Sequence, residues 1–299
     1  MASLIDPRHL IAWCKIPVEE LEGHPKAKVP IRILPTRHDV HLQFARDIIE
    51  EIKAHNAAGR PTRLILPCGP RGQYPHFTRM VNEEHISLRN VHIFHMDDFL
   101  DWQGRPLPLD HPLSFRGWME RNFYEPIAPE LNVPPEQRHW PGVYDIDSIS
   151  RAIEEVGGVD TTYGGIGYRG HLAFNEPPHN PWYTVTPQEF CNSKTRIVHL
   201  NDDTLIITSY RTFGSCSQLV PPMAITLGMK DLLSARRIRL YSETGALKQA
   251  AIRILLFGPV TTEYPVTFVQ EHPDVLLTVD VDTAASPPLG TLFDQVGSL

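Results

Sequence analysis

Short apolar segments rich in β-branched or aromatic residues alternate along this chain with longer segments of helical periodicity. Apolar side chains recur at helical spacing in residues 38–55, and helix-like patterns return in residues 148–156 and 246–256. The strand-like segments are residues 63–66, 91–94, 161–166, 237–241 and 275–279. Strands that alternate with helices predict βαβ units. We therefore expect an α/β fold, a Rossmann-like three-layer sandwich with a mostly parallel sheet and helices on both faces.

No linker divides the 299 residues into two folding units, and this length is at the upper edge for one core. Residues 1–30 are mixed in character and punctuated by proline, which indicates an N-terminal extension on the surface. Residues 31–281 are predicted to form a single α/β domain. Residues 282–299 contain Ala-Ala-Ser-Pro-Pro-Leu-Gly and are predicted to be a C-terminal tail.

Composition argues against several classes of partner. The formal net charge of −7 disfavours a general affinity for nucleic acid or anionic membranes. The N-terminus has no secretory pattern, and no apolar run approaches the roughly 18–20 residues that span a bilayer. The four cysteines are scattered without CxxC spacing, which fits a reducing cytoplasm better than a disulfide framework or zinc ribbon. We therefore expect a cytoplasmic protein with no nucleic-acid or membrane partner.

Polar and glycine-rich segments follow three of the predicted strands. They are residues 67–72, 95–99 and 167–178. Right-handed crossovers bring the carboxyl ends of parallel strands to one edge of the sheet, where such folds bind their ligands. An acid, an imidazole and a glycine-rich turn are therefore expected to converge there, as a proton-transfer site requires. Because the chain is acidic overall, an anionic substrate needs a locally positive pocket.

Each of these features has a simpler explanation when it is taken alone. A Gly-Pro-Arg-Gly sequence is usually just a turn, and Asp97 and Asp98 can cap a helix or face solvent. His171 can be a hydrogen-bonded core histidine. His95 and Asp97 alternate on an extended backbone, but two ligands do not make a coordination sphere, so we expect no metal site.

The segment from Gly165 to Pro177, Gly-Ile-Gly-Tyr-Arg-Gly-His-Leu-Ala-Phe-Asn-Glu-Pro, is more specific, and it resembles the signature of glucosamine-6-phosphate deaminases (isomerases). The resemblance spans roughly residues 35–280, and its further matches are residues 94–99, 111–115, 121–123, 222–228 and 272–274. The related 6-phosphogluconolactonases share the fold and the Gly-His element. They generally lack the Phe-Asn-Glu-Pro that follows here, so the deaminase side is favoured.

The resemblance implies a reaction and roles for three residues. The implied substrate is glucosamine 6-phosphate, the products are fructose 6-phosphate and ammonia, and no metal or organic cofactor is involved. It gives Asp97 the role of the base that moves a proton between C2 and C1. His171 would shuttle protons during ring opening, since imidazole titrates near neutral pH, and Glu176 would hydrogen-bond and tune it. The sequence does not indicate an oligomeric state, and the resemblance is compatible with a homo-oligomer.

The small-molecule partner is thus expected to be a sugar phosphate, held by residues near the three loops. The predicted substrate-binding residues are Cys68, Gly69, Arg71, Gly72, Gly167, Arg169, Gly170 and Lys248.

The sequence departs from the family pattern near the histidine and in the phosphate loop. Arg169 stands where the family usually has an aspartate that favours the charged histidine, and an arginine close by would do the reverse. Pro70 removes a backbone N–H that could cradle phosphate, and Arg71 can offset that loss with a bidentate contact.

Two further departures concern cations. The family's lysine at the start of a late helix is replaced by Thr244-Gly245, with Lys248 about one turn further on, and Leu205 stands where an arginine is expected. A remodelled anion pocket leaves two alternatives to the deaminase open. One is an isomerase or lactonase acting on another sugar phosphate, and the other is a catalytically silent sugar-phosphate binding protein.

Overall fold

A parallel sheet of seven strands forms the centre of the computed structural model, which describes residues 5–178, 180 and 182–287. The strands of the chain are β1 (Ile31–Leu34), β2 (Thr62–Leu66), β3 (Val91–His95), β4 (Asp97–Leu100), β5 (Arg138–His139), β6 (Thr161–Gly165), β7 (Arg196–His199), β8 (Met223–Thr226), β9 (Arg237–Ser242) and β10 (Val275–Asp280). The central sheet has the order β1-β10-β9-β6-β2-β3-β5, and all its neighbouring strands pair in parallel.

Helices connect the strands as the alternating pattern predicted. They are α1 (Pro7–Cys14), α2 (Arg37–Ala57), α3 (Tyr74–Glu83), α4 (Phe115–Met119), α5 (Ser148–Glu155), α6 (Pro187–Cys191), α7 (Asp202–Thr212), α8 (Met229–Leu233), α9 (Gln249–Phe257) and α10 (Val281–Ala284). A π-helical turn, Glu120–Tyr124, continues α4, and a 3-10 turn, Gly245–Leu247, precedes α9.

Two apolar clusters cover the two faces of the central sheet. Along β2, Leu64 and Leu66 pack with α2 and α3, whereas Ile65 packs with α5 and α9 on the opposite face. This alternation follows from the period of two along a strand. Helices therefore lie on both faces, and the predicted α/β three-layer fold with a mostly parallel sheet is confirmed.

A small antiparallel sheet of β4, β8 and β7 stands beside the main one, and the sequence analysis did not predict it. Only Met96 separates the end of β3 from the start of β4, so the chain passes from one sheet directly to the other. Asp97 pairs in register with Thr226 of β8. The second sheet thereby fixes the position of the backbone that carries Asp97.

The segment before β1 contributes buried side chains, Ile11 and Cys14 from α1 and then Leu21 and Val29. The Nζ of Lys28 donates to the carbonyl oxygen of Gly258 at 2.6 Å, which ties this segment to the end of α9. At the other end of the chain, α10 begins at residue 281, and residues 288–299 of the predicted tail lie outside the described residues. The division into extension, domain and tail stays a prediction.

Across the described ranges, no helix combines the length and apolar character needed to cross a membrane.

Candidate functional site

A cavity of about 430 Å³ opens at the carboxyl edge of the central sheet. The loops after β2, β3, β6 and β9 all contribute to its wall. The predicted site residues that line it are Gly69, Arg71, Gly72, Asp97, Gly167, His171 and Lys248. These loops therefore meet at one edge of the sheet, as the parallel order of the strands predicts.

The two adjacent aspartates after β3 have different surroundings. Asp98 accepts backbone N–H groups from Phe99 at 2.9 Å, Phe115 at 2.8 Å and Arg116 at 3.3 Å, which anchors the start of α4. Burial raises the pKa of Asp98 to about 6. Asp97 lines the cavity instead, and burial, followed by the neighbouring Asp98, raises the pKa of Asp97 well above its usual range. Asp97 is thus the aspartate that is free to act on a ligand.

A tight turn after β6 presents His171 to the cavity. The backbone N–H of Gly167 donates to the carbonyl oxygen of His171 at 2.8 Å, and Gly170 has a φ of +70°, which favours glycine. A Cβ on Gly167 would lie 1.9 Å from the imidazole Nε2, so only glycine leaves room for the ring. Burial, with a smaller effect of Lys248, lowers the pKa of His171 to about 3. The imidazole is therefore neutral near pH 7.

Glu176 lies behind the histidine rather than on the cavity wall. Its Oε1 is 3.7 Å from Nδ1 of His171, and its Oε2 accepts the backbone N–H of Asn201 at 2.7 Å. Burial raises the pKa of Glu176 to about 7. The carboxyl group can therefore exchange a proton near neutral pH while it faces the imidazole.

The loop after β2 forms a further wall, with Gly69, Arg71 and Gly72 facing the cavity. The guanidinium of Arg71 lies over the ring of Trp118, 4.7 Å from its centroid, which holds the arginine against an aromatic face. Cys68 is not on the cavity wall. Its Sγ is 3.9 Å from the carbonyl oxygen of Phe115, and burial raises the pKa of the thiol to about 12, so it stays protonated.

Sequence reasoning missed two arginines of the cavity wall, Arg37 at the start of α2 and Arg211 on α7. Arg211 shares a face of α7 with Thr204 and Thr208, which also line the cavity. This spacing of four and three residues is a signal that periodicity could have revealed. The family resemblance placed an arginine at the position of Leu205, and the same helix supplies Arg211 six residues later.

Lys248 and Glu243 bring a further cation and an acid to the wall. Burial, then the charge of Arg211, lowers the pKa of Lys248 to about 7, while Glu243 acts in the opposite direction. The Oε1 of Glu243 lies 3.4 Å from Nε2 of His41 and 3.9 Å from Nη2 of Arg37. The cavity wall thus combines several cations with a second buried carboxyl group, Glu243, besides Asp97.

Two further predicted substrate-binding residues, Arg169 and Gly170, do not lie on the cavity wall either. The Nε of Arg169 is 3.7 Å from Oδ2 of Asp203, at the start of α7. The cation that disfavours the charged form of His171 is Lys248. The cation near His171 that was expected to be Arg169 is therefore Lys248.

His95, considered above as a metal ligand, belongs to the core. Its Nε2 hydrogen-bonds with the hydroxyl of Tyr124 at 2.7 Å, and its ring stacks on Trp140 with centroids 3.6 Å apart. Within the part of the chain that the structure describes, no group of three histidine, cysteine, aspartate or glutamate side chains could hold a metal ion.

The sequence is similar to curated proteins named glucosamine-6-phosphate deaminase. The protein from Porphyromonas gingivalis is 31% identical over 269 residues, covering 87% of this chain and 94% of the relative. The protein from Thermoanaerobacter pseudethanolicus is 32% identical over 254 residues, covering 82% and 92%. No protein-family model matches the sequence.

Solved structures have the same fold. A monomeric glucosamine-6-phosphate deaminase superposes with a TM-score of 0.70 at 26% identity, over 85% of this chain and 98% of that one. The 6-phosphogluconolactonase of Trypanosoma cruzi superposes with a TM-score of 0.61 at 15% identity, over 85% and 95%. At that identity, the second likeness concerns the fold alone.

Proposed function

The chain belongs to the glucosamine-6-phosphate deaminase family, and we propose that it converts glucosamine 6-phosphate and water to fructose 6-phosphate and ammonia. The observation that carries the proposal is the meeting of Asp97 and His171 on one cavity wall with the cations Arg71, Arg211 and Lys248. The reaction joins an aldose–ketose isomerisation to hydrolytic loss of the amine. Each of its steps moves a proton, which side chains of these types can do without a metal or organic cofactor.

His171 is proposed to open the sugar ring. A neutral imidazole can take the proton of the anomeric hydroxyl and return one to the ring oxygen, and burial keeps this imidazole neutral at pH 7. The packing of Gly167 against the ring limits the positions that the imidazole can take. A fixed proton carrier of this kind contributes about 10²–10⁴-fold to a rate.

Asp97 is proposed to move the proton between C2 and C1 of the open sugar. Burial raises the pKa of Asp97, so its carboxylate is a stronger base than an exposed one.

Glu176 is proposed to act as a positioning residue. Its carboxyl group faces Nδ1 of His171 at 3.7 Å, which leaves Nε2 to meet the substrate. The hydrogen bond from the backbone of Asn201 holds Glu176 in this orientation.

The phosphate group is proposed to bind between the loop after β2 and the cations of the opposite wall. Gly69 has open space beside its Cα for the approach of phosphate oxygens, and the planar guanidinium of Arg71 can make two parallel hydrogen bonds to them. Lys248 and Arg211 add charge from the other side.

Cys68, Arg169 and Gly170 are proposed to shape the site without touching the substrate. Cys68 packs under the phosphate loop, Gly170 allows the turn that carries His171, and Arg169 connects that turn to Asp203.

Ammonia release from glucosamine 6-phosphate by the purified protein tests the proposal, with 6-phosphogluconolactone as a parallel substrate. The proposal expects ammonia and fructose 6-phosphate in equal amounts and no lactone hydrolysis above the spontaneous rate. Lactone hydrolysis without ammonia release would show that the protein is a lactonase and not a deaminase. Tight binding of the sugar phosphate without turnover would support a silent binding protein.

We also propose a cytoplasmic location and a homo-oligomer. The described structure contains four free cysteines, of which Cys14 and Cys68 are buried, and free thiols suit a reducing compartment. The similar deaminase of known structure is described as monomeric, so the oligomeric proposal needs its own test. Light scattering on the eluted protein gives the mass, and a monomer at micromolar concentration would contradict the homo-oligomer.

A further inference from the structure

Glu243 is a second acid, besides Asp97, on the wall of a cavity whose cations suit an anion. It lines the cavity, and only 4% of its side chain is exposed. Its Oε1 faces Nη2 of Arg37 at 3.9 Å and Nε2 of His41 at 3.4 Å. The proton transfers assigned to Asp97 and His171 make no use of this carboxylate, so its place on the wall calls for a separate explanation.

Glu243 lies close to the loop that is proposed to bind phosphate. The imidazole of His41, which faces Glu243, packs against Gly72 of that loop, where a Cβ would fall 2.1 Å from the ring. On the other side, the charge of Glu243 reaches Lys248 and favours its protonated form. The carboxylate of Glu243 therefore lies between the loop after β2 and the buried Lys248.

An ionised carboxylate accepts hydrogen bonds and donates none, so it repels an oxyanion that is also only an acceptor. A phosphate monoester monoanion differs, because it still carries one P–OH group. A sulfate ester has the same charge and shape but no such proton. We propose that Glu243 accepts a hydrogen bond from a protonated phosphoryl group, and so makes the anion subsite select phosphate monoester monoanions over sulfate esters. The inference rests on the proposed function, since it takes a phosphoryl group as the occupant.

The other charged groups of the subsite do not distinguish the two esters. Arg37 from α2, Arg211 from α7 and Lys248 before α9 attract any monoanion of this shape, and His41 from α2 faces Glu243 from behind the wall. Between the two monoanions, the ratio of the affinities therefore isolates the contribution of Glu243.

The test compares the Kd of methyl phosphate with that of methyl sulfate by calorimetric titration at pH 6, near the second pKa of about 6 for a phosphate monoester. The wild-type protein should bind methyl phosphate about ten- to hundredfold more tightly, the range for a hydrogen bond to a charged group. In Glu243→Gln, the ratio should fall to about twofold, mainly through tighter sulfate binding, because the amide can donate. The surface variant Glu84→Gln, whose partner is Lys53, is the matched control and should keep the wild-type ratio.

A second measurement needs no variant and serves if Glu243→Gln does not fold. Between pH 7 and 8, the advantage of methyl phosphate over methyl sulfate should shrink about tenfold for the wild-type protein, because the monoanion is depleted. Equal binding of the two esters at pH 6, or a ratio that does not change with pH, would overturn the inference. If the protein selects the phosphate ester but releases no ammonia, the proposed function is wrong and the role of Glu243 still stands. If the protein releases ammonia but binds the two esters equally, the role of Glu243 is wrong and the proposed function still stands.

Discussion

The buried charge of Lys248 lowers the free energy of unfolding, and replacing Lys248 should show by how much. Its ammonium is buried near Arg211, and both burial and that charge lower its pKa from 10.5 to about 7. A shift of this size corresponds to about 5 kcal/mol between the protonation states, and we expect about 2–4 kcal/mol of it to be measurable. Lys248→Met keeps a side chain of similar length without the charge. Below pH 7, the variant should therefore be more stable than the wild-type protein by about 2–4 kcal/mol, although it binds substrate poorly.

The sign of the pH dependence follows from proton counting. Between pH 7 and 10.5, the unfolded chain holds a proton on Lys248 that the folded chain has lost, so the wild-type protein gains stability as the pH rises. Urea unfolding at pH 6 and pH 9 should show the advantage of Lys248→Met shrinking by about 2–3 kcal/mol. The exposed Lys53, replaced by methionine, is the control and should change stability by less than about 0.5 kcal/mol at both values. A variant that is less stable at pH 6, or an advantage that is constant with pH, would refute the reasoning.

Three further substitutions separate the parts of the site. Gly167→Ala places a Cβ where the imidazole of His171 lies, so kcat should fall about 10²–10⁴-fold in steady-state assays, and an unchanged kcat would contradict the packing. Arg71→Lys loses the planar contact with Trp118, so KM should rise about tenfold at nearly constant kcat; a loss confined to kcat would count against a binding role. Arg169→Ala removes a side chain that does not line the cavity, so kcat/KM should stay within about threefold, and a larger loss would indicate contact with substrate.

The positions of Asp97 and His171 could be predicted from the sequence because they depend on local signals. Each follows a strand that β-branched and apolar residues identify, and parallel strands bring their carboxyl ends to one edge. Lys248 was proposed instead from the family resemblance, as a lysine about one turn beyond the family's position, and it lines the cavity. The central sheet and its two covered faces follow from the same alternation of strands and helices.

Other features depend on contacts between distant segments that no local pattern reports. The antiparallel pairing of Asp97 with Thr226 joins segments far apart in the chain, and its strands have only four residues each. Glu243 and Arg37 meet through the approach of α2 to the end of β9. Arg169 looked close to His171 in sequence, yet the turn directs it toward α7. Side-chain direction at a tight turn is set by the three-dimensional packing, and sequence spacing does not contain it.

The central claim is that Asp97 is the base that moves a proton on the open sugar, and Asp97→Asn tests it most directly. The amide has nearly the same shape as the carboxyl group but cannot accept the proton, so kcat for ammonia release from glucosamine 6-phosphate should fall about 10²–10⁴-fold. KM should change little, because the phosphate group is proposed to bind through Arg71, Arg211 and Lys248 and not through Asp97. Ammonia release by Asp97→Asn at the wild-type rate would contradict the account.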